Sequence, residues 1–121
     1  MSTKLWMPAL GLIGLVAGCA SYPKPDARLS QSEASIGLAQ GAGAQGNAQA
    51  TDYLTRANEE LNKAKSLMND GKNEEADYML MRADADAKLA AEMAKTQKAE
   101  TDAQQQSSQA KVVQAKAAQT P

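Results

Sequence analysis

Apolar positions change their spacing along this chain, and each change predicts a different element. From Trp6 to Ala17 they run almost without interruption. That is about a dozen residues, within the ~7–15 of the apolar region of a secretory signal and short of the ~20 a spanning helix needs. After the prolines Pro23 and Pro25, apolar residues recur every third or fourth position, which is one face of a helix. Leu29, Ala34, Ile36, Leu38 and Ala39 mark a first short helix over 27–40. Asp26 is placed to cap it, or Ser30 with Glu33 as a capping box. Three glycines within Gly41–Asn47 then break the pattern and predict a flexible joint.

A second helix is expected over 48–69, with Asn47 or Thr51 as its cap. Tyr53, Leu54, Ala57, Leu61, Ala64, Leu67 and Met68 share one of its faces. Asn69-Asp70-Gly71-Lys72-Asn73 is the clearest turn. Gly71 suits a left-handed C-terminal cap, and Asn73 is placed to cap the third helix. So short a link predicts two antiparallel neighbours. The third helix starts at Asn73 and extends towards Ala118. Ala76, Ala83 and Ala90 step by seven, and Leu80, Ala87 and Ala94 do the same four residues later, giving a heptad seam filled mainly by alanine. From about Thr96 this helix outruns its partner and becomes low in complexity, with Gln104-Gln105-Gln106-Ser107-Ser108-Gln109 offering nothing apolar.

Composition sharpens this picture. The chain has no Phe or His, and its net charge is −1. That balance leaves no basic footprint for nucleic acid. Alanine, glutamine, lysine and acids at helical period read as long helix. The expected fold is therefore all-α: an antiparallel helical hairpin, preceded by a short helix and continued by a long C-terminal helix with a partly disordered tail. The expected division is a signal segment at 1–18, a Cys and Pro-containing stem at 19–25, an Ala-rich helical domain at 26–99 and an Ala/Gln/Lys tail at 100–121. Alanine buries little, so such a domain gains from self-association, a protein partner or a membrane surface. Tyr53, Leu54, Leu61, Met79 and Leu80 are the candidate partner face. Glu74, Glu75, Asp77, Asp84 and Asp86 are the densest acidic group and read as a solvated face with Arg82 and Lys88 nearby. No residue set has the types or spacing of a catalytic, metal or cofactor site, and no small-molecule substrate is evident. The chain is not expected to be an enzyme.

The one chemically distinctive residue is Cys19, the only cysteine. It closes Val16-Ala17-Gly18-Cys19, which resembles the lipobox of bacterial lipoproteins. In that class the thiol takes a diacylglycerol thioether, the bond before the cysteine is cut, and the new amine is acylated. Each buried CH₂ contributes ~0.8 kcal/mol, and more than one chain makes an anchor durable. Ala20 and Ser21 come directly after the cysteine. The class often uses an Asp there for inner-membrane retention, so its absence implies the outer membrane.

Beyond the stem, the helical part resembles the bacterial lipoproteins of the domain of unknown function 4398 family. The carrying residues are Pro25 and Ala34, the run Ala57-x-x-x-Leu61-x-x-Ala64-x-x-Leu67-x-x-x-Gly71-x-x-x-x-Ala76, then Ala83 and Asp86-Ala87-Lys88-Leu89-Ala90. They cover about residues 20–99. The family tends to carry a proline before its second helix, where this chain has Gln49-Ala50-Thr51. The resemblance implies a location in the cell envelope, facing the periplasm, and brings no catalytic residues. The expected role is a structural or protein-interaction module. The alternative is a small binding module for a cell-wall or envelope ligand.

Overall fold

The computed structural model describes residues 21–119. They form three helices, α1 (Asp26–Gly41), α2 (Ala48–Asn69) and α3 (Asn73–Ala117). A single 3-10 turn, Ala44–Gly46, stands between α1 and α2. Cys19 and the signal segment lie outside the described residues.

The polar contacts between helices fix the topology. Arg56 meets Asp86 and Glu60 meets Arg82, so α2 and α3 run antiparallel. Ser32 reaches Leu80 and Ser35 reaches Asp84, so α1 runs parallel to α3. Lys65 of α2 reaches Glu33 of α1. The result is an up-down-up bundle. The expected hairpin is present as α2 and α3, and α1 completes it as a third packed helix.

The heptad seam is what packs. Ala76, Leu80, Ala83, Ala87, Ala90 and Ala94 are all buried, facing Leu54, Ala57, Leu61, Ala64, Leu67 and Met68 of α2 and Ile36 and Ala39 of α1. Eleven of the seventeen buried apolar residues are alanine. Small side chains let helix axes approach closely. The approach is close enough that the Ser32 hydroxyl, wholly buried, lies 2.8 Å from the backbone carbonyl of Leu80 on α3. Leu80 is the largest side chain fully enclosed.

The turn between α2 and α3 forms as its glycine predicts. Gly71 has φ +74°. The Lys72 N–H donates to the Leu67 carbonyl at 2.8 Å and the Gly71 N–H to Met68 at 3.2 Å. This double closure is a Schellman motif, and it satisfies carbonyls the helix end leaves open. The joint between α1 and α2, expected to be flexible, is instead a packed corner. Gly43 takes φ +85° and closes α1, Ala44 is fully buried, and the Thr51 hydroxyl lies 3.1 Å from the Ala44 carbonyl. The glycines here give the chain its reversal, and the alanine between them gives it a foothold in the core.

Of the expected N-terminal caps, only one forms as a cap. Asn47 accepts from the Ala50 N–H at 2.9 Å, and α2 starts at Ala48. Asp26 does not cap α1, because Pro25 occupies the cap position and Asp26 is already helical. Ser30 turns back to the Asp26 carbonyl. Asn73 likewise lies inside α3, after Lys72, and its side chain donates to the Tyr22 carbonyl at 2.8 Å.

The sequence allows both a continued helix and a partly disordered tail beyond Thr96, and the structure has helix. α3 is helical through Ala117, and its 45 residues extend ~67 Å at ~1.5 Å each. α2, with 22 residues, spans only ~33 Å. Burial on α3 ends at Ala94, and every residue of α3 from Lys95 onward is exposed. Alanine, glutamine and lysine carry little helix penalty, so the helix continues where packing stops.

Candidate interaction surface

The Tyr22 stem contact and the end of packing at Ala94 set the layout of the surface. The stem enters beside the α2–α3 turn, where Asn73 holds the Tyr22 carbonyl and the Tyr22 hydroxyl donates to Asp77 at 3.0 Å. The unpacked half of α3 leaves from the opposite end. A chain held at its stem would therefore present that half of α3 at the far end of the bundle.

The candidate partner face divides in two. Leu54, Leu61 and Leu80 are 4 %, 7 % and 0 % exposed. These three are the molecule's own core, and a partner cannot reach them. The helical period places each on the apolar face of its own helix correctly, Leu54 and Leu61 on α2 and Leu80 on α3, but periodicity alone does not say whether that face meets another molecule or the next helix of the same chain. Tyr53 and Met79 are half-buried at the core margin. The Arg56 guanidinium lies 4.3 Å above the Tyr53 ring, a cation–π contact. Tyr53 borders an open cleft with Asp52, Arg56, Glu59 and Met93, and Met79 borders another with Glu60, Lys63 and Arg82. Both clefts are shallow grooves along the α2–α3 junction rather than enclosed cavities.

The acidic group of α3 is only partly solvated, contrary to the expectation of a free face. Glu74 and Glu75 are exposed at the helix start, where the N-terminal dipole favours them. Asp77 instead accepts from Arg28 and Tyr22. Asp84 accepts from Ser35 at 2.6 Å, Lys88 at 2.8 Å and Gln31 at 3.2 Å. Asp86 faces Arg56 at 3.4 Å. These three carboxylates lie along the flanks of the seam, so the helices packed there supply their donors. Among the described residues no group of three or more His, Cys, Asp or Glu is gathered to hold a metal ion.

The electrostatics divide the two junctions. Burial pushes the Asp84 carboxyl up, but hydrogen bonds from Lys88, Ser35 and Gln31, with the Lys88 charge, outweigh it and hold the group below the usual carboxylate range. At the α2–α3 junction the balance reverses. Glu60 is 8 % exposed, and burial raises its carboxyl above the ordinary value despite Arg82 and Arg56, with Asp86 adding to the rise. One oxygen of Glu60 meets Arg82 at 2.6 Å and the other is buried with no partner. The Asp77 hydrogen bond raises the Tyr22 hydroxyl.

The outer side of α3 carries exposed apolar residues that the helical period of the core does not single out. Tyr78, Met81 and Leu89 are 58 %, 49 % and 40 % exposed, and Val112 and Val113 are more so. The signal that could have found Tyr78, Leu89 and Val113 is a second set of seven-residue steps, offset from the core seam by two positions. No described helix is long and apolar enough to cross a membrane.

Comparison with curated proteins and with solved structures gives no match. A family model, "Domain of unknown function (DUF4398)", matches residues 27–120, which span all three helices. Within the matched stretch Ala57, Leu61, Ala64, Leu67, Ala76, Ala83, Ala87 and Ala90 are core and Gly71 makes the left-handed turn, and with more than half of its length matched the chain belongs to the DUF4398 family.

Proposed function

We propose that this protein is a lipid-anchored, non-catalytic interaction module of the bacterial cell envelope. It is tethered through Cys19 and faces the periplasm from the outer membrane. The Val16-Ala17-Gly18-Cys19 run supports the anchor. The observation that carries the interaction role is α3, whose second half has no packing partner within the bundle yet extends the helix by more than twenty residues beyond Ala94. A helix kept apolar in places and left uncovered is a docking element for other proteins. Shallow clefts and the lack of a gathered donor set among the described residues fit a surface that binds by its faces rather than by an enclosed pocket.

The anchor is tested by expressing the full chain and its Cys19→Ala variant in a bacterial host with labelled fatty acid. The wild-type chain is expected in the membrane fraction with label, and the variant without either. Equal label in both would sink the reading. Retention of the chain on purified peptidoglycan, with no protein partner present, would move the role to a cell-wall ligand.

A further inference from the structure

α3 carries two seams. The first, from Ala76 to Ala94, is buried within the bundle. The second lies two residues out of phase with it, roughly half a turn away at ~3.6 residues per turn. It comprises every seventh residue from Tyr78 to Val113 and every seventh from Arg82 to Ala117. All twelve are exposed. Eight of them are Tyr, Leu, Val or Ala. The Gly46–Gln49 corner borders this stripe at Leu89 and Thr96 without covering it.

We infer that the outer face of α3 is a self-association surface on which two copies of this chain pair antiparallel, centred between Gln97 and Lys98. This deepens the interaction role above and rests on it. Three features select a second copy in that direction.

The first is size. Along the stripe the largest apolar side chains, Tyr78 and Leu89 in the half nearest the bundle and Val113 in the overhang, are separated by alanines at 85, 99, 103, 110 and 117. Antiparallel pairing puts no two of the large ones opposite each other, whereas in-register parallel pairing stacks each on its own copy, and large-on-small packing is what helix seams favour. Tyr78 then faces Ala117 of the second copy.

Charge is the second. In-register parallel pairing stacks Arg82 on Arg82 and Glu92 on Glu92 at the seam, and like charges there are costly. The antiparallel register places Arg82 opposite Val113 and Glu92 opposite Ala103. It also brings Lys95 beside Asp102 of the second copy, twice by symmetry. Within one chain both residues hold only exposed local pairs, Lys95 with Glu92 and Asp102 with Lys98. Such pairs are exchanged at little cost.

Area is the third. A stripe of 78–117 runs ~60 Å, and at a helix width of ~10 Å it offers about 600 Å² per copy. Two copies bury on the order of 1,200 Å², the lower end of specific protein interfaces. Each overhang would lie on the body of the other copy. The two stems leave at opposite ends, so a pair anchored on one membrane lies along it.

Cysteines at exposed seam positions test this in membranes carrying the full chain. Ala85→Cys and Ala110→Cys, co-expressed as separate chains, are expected to give a disulfide-linked heterodimer under mild oxidant. Neither alone should do so, since each is then ~38 Å from its own copy, against the ~7 Å limit for a disulfide. Lys95→Asp is expected to abolish the linked species, and Lys95→Asp with Asp102→Lys to restore it. A disulfide from Ala110→Cys alone means a parallel pair and overturns the proposal, as does a Lys95→Asp chain that still links. Lack of any linked species in membranes where the chain still carries its lipid label also overturns it, and leaves the anchor reading intact.

Discussion

The two halves of α3 share one helix and one seven-residue step, and they meet opposite ends. From Asn73 to Ala94 the seam positions are alanine and leucine, buried against α1 and α2. From Lys95 to Ala117 the same two steps fall on Gln97, Thr101, Gln104, Ser108, Lys111 and Ala115, all exposed. Alanine keeps a seven-residue step there at 103, 110 and 117, on the other side of the helix. The first half has two neighbours whose leucines and isoleucine fill the space that alanine leaves, and the second half has none within the chain. The core seam turns polar where those neighbours stop.

The sharpest way to test that contrast is a matched truncation. Leu80→Ala should cost about 3 kcal/mol in chemical denaturation, because its cavity opens at a fully enclosed site. Val113→Ala, at 67 % exposed, should change the stability of the monomeric chain by less than about 0.5 kcal/mol. Equal effects in the monomer would mean that the overhang folds back on its own bundle.

Enlarging alanine is the converse probe. Ala87→Leu should destabilise by about 2 kcal/mol, since the close approach of α3 to its neighbours leaves no space for three more carbons. Ala103→Leu should leave the unfolding midpoint of the monomeric chain almost unchanged, and a large loss there would place a neighbour from the same chain on the overhang.

The polar junctions make the next test. Asp84→Asn should destabilise by about 1–2 kcal/mol at neutral pH, by weakening the Ser35 and Lys88 bonds that join α1 to α3. The folded-state value of Asp84 lies below its unfolded one. Its contribution is therefore complete above the ordinary carboxylate range near ~4 and is lost as pH falls through the lower, folded value. The wild type should lose stability below about pH 4, and the Asn variant should lose less. Denaturation midpoints across pH 2–7 would show it, and parallel curves for the two proteins would contradict it.

Glu60 predicts the opposite sign. Its folded-state value is raised, so the stability tied to its protonation is full below the ordinary value near ~4.3 and lost as pH rises through the folded value. Glu60→Leu removes a buried oxygen without a partner and leaves the half-exposed Arg82 to water. It should raise stability by about 1 kcal/mol at pH 7 and make that loss with rising pH disappear. A thermal midpoint lower than wild type would show that the Arg82 pair outweighs the burial.

Legibility in the sequence tracked the range of the interaction. Helix limits, the Gly71 reversal and the buried alanine seam were readable because each depends on residues within a turn or two of one another. The caps were read less well. Asp26 and Asn73 have the right chemistry for a cap, but in each case the helix begins one residue earlier, and Asn73 is taken by the Tyr22 carbonyl fifty-one residues away. The candidate partner face failed for a related reason. Leu54 and Leu61 lie on a true helical stripe of α2 and Leu80 on one of α3, and the identity of what covers a stripe is not written in its period.

What the sequence by itself determined is local: three helices, their order, the glycines that reverse the chain, and a lone cysteine in a lipobox-like run. Those come from propensity, periodicity and backbone sterics. Only the tertiary structure decided that α1 is a full member of the bundle, that Asp77, Asp84 and Asp86 join helices rather than face water, and that Glu60 is left with a buried, unpaired oxygen. It also decided where α1 and α2 stop against α3. Each of these turns on which distant groups fill a given volume or exclude water from it, and neither propensity nor period carries that.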